Sequence, residues 1–452
     1  MNLMITNYEN EYRDKLISGE QAAAMVKSDS TVSYGGFILS PVYIDKFIAQ
    51  RVNELNNVKI QTQVYPGLCQ AAWADQKREH IYFTNCHFSP GDRILHDMGL
   101  CDFVPTLFHE HPWVLQNGHV QSDILFFRAG AMDKNGFFNF GIANTFLKEF
   151  SNQSKIVVLE INKNLPHCNG GLNEAIHISE VDYIVESDHA PLMAAPAVET
   201  TETDKKIADI LLKEMKDGSC IQLGIGGMPN ALGKMLATSG LKDLGVHTEM
   251  LVDSYVDMFE QGCITNMKKQ VYTGKMAYTF AFGSQRLYDF MDHNPFLASY
   301  PVNLINDPKI ISMNDNVVSI NNCLEVDLMS QVSSESNGHR HITGTGGQWD
   351  FVYGAFHSKG GKSFLCLEST HTDKNGNMKS RIVPYFKPGT AVSVTRNMVH
   401  YIVTENGIAC MKAKSTWERA EALISIAHPS FREELIAEAE KMNIWRKSNK
   451  QD

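Results

Sequence analysis

Short apolar runs punctuated by turn residues set the rhythm of this chain. NVKIQTQVY, SDILFFRAGAMD and SKIVVLEIN are such runs, bounded by Asn, Asp, Gly and Ser. They predict buried strands lying between helices. STVSYGGF predicts a further strand that ends in the glycine turn Gly35-Gly36. Helix signals separate the runs. Ser18-Gly19-Glu20-Gln21 ahead of AAAMV is a capping box, in which two side chains satisfy backbone N–H groups that a helix start leaves free. KKIADILLKEMKDG places Ile207, Ile210 and Leu211 on one face and is expected to end at Gly218. Strands alternating with helices predict an α/β fold.

Ala195 to Asp204, APAVETTETD, reads as a linker: it is rich in Thr and Glu, holds Pro196 and precedes a fresh helix start. A boundary there divides the chain into an N-terminal domain, residues 1–198, and a C-terminal domain, residues 199–452. The halves echo each other. Gly35-Gly36 follows a strand in the first and Gly226-Gly227 follows CIQL in the second. Asp-Lys-Asn-Gly occurs at 133–136 and 373–376, and V-x-Tyr-Ile-Val at 181–185 and 399–403. Matches in the same order predict two related open α/β domains, and their unequal spacing excludes a short-period solenoid. Ser415-x-x-Glu418 and Ser430-x-x-Glu433, separated by Pro429, predict two capped helices in a helical C-terminus packed over the second domain.

A chain of 452 residues exceeds one ordinary core, which agrees with two domains. The net charge of -10 argues against a general nucleic-acid or anionic-membrane binder, while leaving room for a local basic patch. No apolar run reaches the roughly eighteen residues needed to span a bilayer. The polar start MNLMITNYENEYRDKL is not a signal peptide. The nine cysteines are scattered and never form CxxC, which predicts reduced thiols in a cytoplasmic protein.

Candidate chemistry gathers in the second half. In CIQLGIGGMPNALGKMLAT a strand ends at Leu223, Gly224 to Met228 form a loop, and Pro229 opens a helix. Strand, glycine loop and helix start together form an anion cradle of free N–H groups, or simply a tight turn. The spacing is neither that of a dinucleotide fingerprint nor that of a Walker loop. Gly344-Thr345-Gly346-Gly347-Gln348 and Ser358-Lys359-Gly360-Gly361-Lys362 are further glycine clusters. Lys359, Lys362 and Lys374 either neutralise phosphates or sit solvated on the surface. His109-Glu110-His111 and His339-Arg340-His341 lack zinc spacing, so no metal is expected. Cys86-His87 shows no orienting partner and reads as a structural cysteine. Glu249, in GVHTEMLVDS, stands at the expected end of a strand, where open α/β sheets bind ligands. A plain surface glutamate fits that position as well.

Gly224-Ile225-Gly226-Gly227, His247-Thr248-Glu249-Met250, Asn321-Asn322-Cys323-Leu324-Glu325-Val326-Asp327 and Gly344-Thr345-Gly346-Gly347-Gln348 resemble the acetyl-CoA hydrolase/transferase family of CoA-transferases. Ser415-Thr-Trp-Glu-Arg-Ala-Glu and Ile426-Ala-His-Pro resemble its butyryl-CoA:acetate branch, with 4-hydroxybutyrate CoA-transferases close by. The resemblance covers nearly the whole chain, including Asp133 to Gly141. It implies two α/β domains of one kind with the active site between them. It makes Glu249 the catalytic residue and Gly224, Ile225, Gly226, Gly227 and Met228 the CoA-binding loop. Further CoA contacts fall on Asn321, Gly344 and Lys374. Glu368 and Trp349 depart from the family's usual residues and bear on the acyl pocket.

The implied reaction exchanges coenzyme A between an acyl-CoA and a free acid, most simply butyryl-CoA and acetate, through a glutamyl-CoA thioester on Glu249. No resident cofactor is expected; CoA is substrate and covalent intermediate. A carboxylate ionised at neutral pH needs no separate base. The rivals are a 4-hydroxybutyrate CoA-transferase, an acyl-CoA hydrolase in which water replaces the acid, and a non-catalytic acyl-CoA sensor. Family members often form homo-oligomers, although no stripe in this sequence marks an interface.

Overall fold

All six residues of Ile124–Ala129 are buried, as befits a strand with neighbours on both sides and cover on both faces. In the computed structural model, which describes residues 8–446, that strand is β5 of a seven-stranded sheet. The others are β1 (Thr31–Tyr34), β2 (Val58–Thr62), β3 (Ile81–Asn85), β4 (Asp102–Phe103), β6 (Ile156–Ile161) and β7 (Tyr183–Glu186). They are ordered β4-β3-β2-β1-β5-β6-β7 and all neighbours run parallel. Val32, Ile60, Phe83 and Phe126 belong to its core.

This sheet lies in a compact unit made of the residues up to Ala195 and Ala277–Ile305. The return of 277–305 to the first unit has no signal in the sequence pattern. Helix α1 (Val42–Gln50) follows β1 and the Gly35-Gly36 turn. Its first N–H groups, those of Tyr43 and Ile44, donate to Glu160 Oε2 on β6 at 3.0 and 2.9 Å. Arg128 on β5 donates to Glu160 Oε1 at 2.7 Å, and both side chains are buried.

The second unit takes Pro196–Met276 and the residues from Asn306 onward. Its sheet comprises β8 (Cys220–Leu223), β9 (Gly245–Val246), β10 (Val317–Asn322), β11 (Lys362–Cys366), β12 (Tyr401–Thr404) and β13 (Gly407–Cys410). The order is β9-β8-β10-β11-β12-β13, parallel except for the last pair. Its helices include α2 (Glu202–Leu212), α3 (Gly227–Thr238), α4 (Asp253–Glu260), α5 (Gln348–His357), α6 (Thr416–Ile426) and α7 (Arg432–Lys441). Leu423 of α6 and Leu435 of α7 share a core cluster with Ile402 of β12, so the C-terminal helices do cover this sheet.

Within each unit the first strand has successors on both sides, so β1 corresponds to β8 and β7 to β12. The glycine pairs and the two V-x-Tyr-Ile-Val segments therefore fall on corresponding elements. The Asp-Lys-Asn-Gly segments do not. Both fold into the same turn, in which Asp133 and Asp373 accept from the N–H groups two and four residues on. The first follows β5, whereas the second follows β11, one strand further out.

Three helix boundaries differ from expectation. Helix α3 begins at Gly227, so Gly227 and Met228 are its first residues rather than loop, and Pro229 stands third. Helix α2 stops at Leu212 rather than Gly218, and a capping box of Thr201 and Asp204 opens it. Gly218, at φ +74°, instead turns the chain into β8. Ser430 and Glu433 form no box. The side chain of His428 accepts from the Ser430 N–H, a 3₁₀ turn covers Pro429–Phe431, and α7 starts without a side-chain cap. Ser430 lies inside that 3₁₀ turn and so does not take the extended conformation of an N-cap.

Candidate active site

Parallel strands deliver their carboxyl ends to one edge of the sheet. In the second unit that edge collects Gly224 after β8, His247 to Glu249 after β9, Asn321 and Asn322 at the end of β10, and Glu368 after β11. Strand order reverses beside β8, the place where open α/β sheets leave a crevice for ligands. The N–H of Leu223, the last residue of β8, donates to the Tyr255 hydroxyl on α4 at 2.7 Å, which fixes the start of the loop.

The glycines here differ in what requires them. Gly226, the residue before α3, has φ +126°, a conformation closed to other residues. Gly227 packs against α2: an added Cβ would lie 2.3 Å from Asp204 Oδ2. Gly224 has neither constraint, because an added Cβ there meets nothing within 4 Å. Ile225 is exposed and Met228 is buried. Helix α3 has no side-chain cap at its start, which leaves its first N–H groups available.

Glu249 is partly buried, and its carboxyl end is packed against Asn306 and Gly347. Asn306 Nδ2 donates to Glu249 Oε2 at 2.6 Å. The backbone N–H of Gly347 also hydrogen-bonds the carboxyl group. A Cβ on Gly347 would lie 1.9 Å from Glu249 Oε2 and 2.1 Å from Asn306 Nδ2, so only glycine permits this approach. Asn306 is fully buried, and its second Nδ2 partner is Asp350 Oδ2 at 3.2 Å, also fully buried in the first turn of α5. The loop before α5 is pinned to the end of β10: Gln348 donates to the Asn322 carbonyl at 2.8 Å and accepts from the Ser334 hydroxyl at 2.7 Å.

Burial is the main influence on Glu249 and raises its pKa from 4.5 to about 8; the Asn306 and Gly347 hydrogen bonds pull it down and the Asp350 charge pushes it up. Full ionisation at neutral pH, expected from the sequence, therefore does not describe the resting protein: burial favours the protonated carboxyl group.

Among the other residues singled out, Asn321 lies on the carboxyl edge, but its amide is engaged by neighbours. Its Nδ2 donates to Ser319 Oγ at 2.9 Å and to Gln222 Oε1 at 3.2 Å. Gly344 is buried within the pinned loop, and Lys374 is exposed at the tip of the hairpin of Thr370–Thr372 and Met378–Ser380. Lys359 and Lys362 lie at the opposite edge, where helices return to strand starts, and pair with Asp315 at 3.6 Å and Glu214 at 2.6 Å. The glycines between them serve that return, so this cluster does not join the site.

His111 is buried against Phe146, and burial lowers its pKa to about 4. Burial raises Cys86 to about 12, the reverse of an activated thiol. Among the described residues no group of three His, Cys, Asp or Glu side chains could hold a metal ion, and no helix is long and apolar enough to cross a membrane. Sequence reading missed Asn306, Gly347 and Asp350 as neighbours of Glu249. Gly347 lies inside a motif that stands out as a glycine cluster; Asn306, in INDPKI, gives only a turn signal.

Comparisons with known proteins agree along nearly the whole chain. Residues 1–196 match the acetyl-CoA hydrolase/transferase N-terminal domain, and residues 283–439 match the corresponding C-terminal domain. A probable butyrate:acetyl-CoA coenzyme A-transferase of Syntrophomonas wolfei subsp. wolfei is 46% identical over 97% of this chain and 98% of its own. A butyryl-CoA:acetate CoA-transferase of Anaerostipes caccae is 43% identical over 98% and 100%. The crystal structure of RipA from Yersinia pestis, 32% identical, covers 97% of this chain and 100% of its own at a TM-score of 0.87.

Proposed function

This chain belongs to the acetyl-CoA hydrolase/transferase family, and on that premise we propose that it moves coenzyme A from butyryl-CoA to acetate with Glu249 as the nucleophile. The observation that carries the reading is the enclosure of one carboxyl group at the carboxyl edge by two donors, Asn306 Nδ2 and the Gly347 N–H.

Deprotonated Glu249 attacks the thioester carbonyl carbon. The C–S bond breaks, CoA leaves as thiolate, and a mixed anhydride remains. The thiolate then attacks the glutamyl Cδ, the anhydride C–O bond breaks, and the first acid departs as carboxylate. Glu249 now holds CoA as a thioester. The second acid runs both steps in reverse, so the net change is one CoA exchanged between two carboxylates. A carboxyl group suits this task because anhydride and thioester are both energy-rich, so no step is steeply downhill. When Cδ is attacked, negative charge grows on the glutamyl oxygen. Asn306 and Gly347 are already aimed there, and losing one such donor typically slows a reaction about 10²–10³-fold.

Gly224 supports the assignment of CoA to the neighbouring loop. Its open front lets a ligand reach the main chain, and the uncapped start of α3 suits a phosphate. The exposed Ile225 follows it, then Gly226, and Gly227 and the buried Met228 form the first turn of α3. Asn321, Gly344 and Lys374 make up the remaining proposed CoA contacts.

The test is to incubate the protein with butyryl-CoA and no acceptor, reduce with borohydride, and map the modified peptide. Reduction of Glu249 to its alcohol supports the reading. Steady CoA release without added acid would make the protein a hydrolase, and no modification with no turnover would make it a sensor. A donor panel of butyryl-, propionyl- and 4-hydroxybutyryl-CoA with acetate then ranks the acyl groups.

A further inference from the structure

Asn306 is an amide with one busy end. Its Nδ2 serves two carboxyl groups, Glu249 at 2.6 Å and Asp350 at 3.2 Å, while its Oδ1 is buried and has no partner. Rotating the amide by half a turn would set Oδ1 against Asp350 Oδ2, so an acceptor-only carboxylate there dictates which end faces Glu249. Glu249 shares that task only while it is ionised. During turnover they differ. Glu249 loses its charge when it becomes anhydride or thioester, whereas Asp350, fixed in the first turn of α5, is the source of the negative charge that acts on it.

We propose that Asp350 is the positioning residue of the reaction: it holds the Asn306 N–H on the glutamyl oxygen through the covalent stages, when Glu249 itself no longer can. The inference rests on Glu249 being the nucleophile. It also gives the like charge a purpose. Once Glu249 ionises the two carboxylates repel, and its conversion to a neutral acyl species relieves that repulsion. Asp350 on α5 is the charged group acting on Glu249. His247, two residues back on the same segment, is turned to the Asn314 amide at 3.2 Å.

The experiment compares D350L, which deletes the acceptor, with D350N, which keeps an acceptor oxygen and deletes the charge. For D350L the expectation is a kcat lower by about 10²-fold with KM for acyl-CoA within about threefold, as for a lost oxyanion donor. D350N recovers most of that kcat. In both, the acid limb of the kcat/KM profile moves to lower pH. Unchanged kcat in D350L, or an acid limb unmoved in D350N, overturns the proposal. Should D350L fail to fold, the D350N profile decides alone. Borohydride trapping separates the two ideas. If the wild-type label is absent from Glu249, the nucleophile assignment falls; if Glu249 is labelled and D350L is labelled at the wild-type rate, only the role of Asp350 falls.

Discussion

Gly347 and Glu249 are in such close contact that a single methyl group on the glycine would overlap the carboxyl oxygen, at 1.9 Å. The backbone at Gly347, φ -96°, is one that any residue adopts, so the missing side chain and not the conformation is what matters. G347A should therefore fold normally and displace Glu249. The expected outcome is a kcat reduced by at least about 10²-fold with a melting temperature within a few degrees of wild type. Full activity in G347A would mean that Glu249 reacts from another position.

Asn306 both lowers the pKa of Glu249 and, in the mechanism above, holds charge on it. N306A removes both effects. The acid limb of kcat/KM should move to higher pH, because the bond that favours the ionised form is gone. The rate should fall about 10²–10³-fold at every pH. A rate loss that vanishes at high pH would leave Asn306 with an ionisation role alone.

Only deprotonated Glu249 is a nucleophile, so kcat/KM in the wild type should climb with pH and level off above about 8. An acid limb near 4.5 would show that the resting carboxyl group is not enclosed as described.

The same shift has a consequence for folding. The folded pKa of about 8 lies above the ordinary 4.5, so the stabilising contribution of the protonated form is whole below about pH 4.5 and is lost as pH rises through about 8. E249Q cannot ionise. It should melt higher than wild type at pH 9 and alike at pH 4, with a difference at high pH of about 2–4 kcal/mol once its partial exposure is discounted. Equal melting at pH 9 would remove the argument.

Much of this was legible in the amino-acid order, for identifiable reasons. Strands such as Ile124–Ala129 are buried along their whole length, so their apolar runs are continuous and stand out. Glu249 lies a few residues past a strand, within reach of a pattern argument. Asn306 does not: it comes 57 residues later, before a helix start that explains it locally, and only folding brings it to 2.6 Å. Asp350 was hidden for a similar reason, since an acid in a first helical turn needs no further explanation. Among the six glycines of the two clusters, sequence cannot tell that Gly226 answers to φ, Gly227 to Asp204 and Gly347 to Glu249. For Lys359 and Lys362 sequence left phosphate and solvent equally in view, and the alternation of strand and helix places them at the other edge.

The buried pair of Arg128 and Glu160 makes a separate prediction for the first unit. R128M leaves Glu160 buried without its counter-charge and should destabilise the fold by about 3–5 kcal/mol. R128M/E160L, which removes both charges, should recover part of the loss, read by denaturant titration of each variant. A single mutant as stable as wild type would show that solvent reaches Glu160.

That pair has a consequence for how the halves divide their labour. At the start of α1, where its counterpart α3 offers bare N–H groups, Glu160 already occupies the seat, with Arg128 as its escort. One half of the duplicated frame carries its anion as part of its own covalent structure. Coenzyme added from outside should therefore saturate at one molecule per polypeptide.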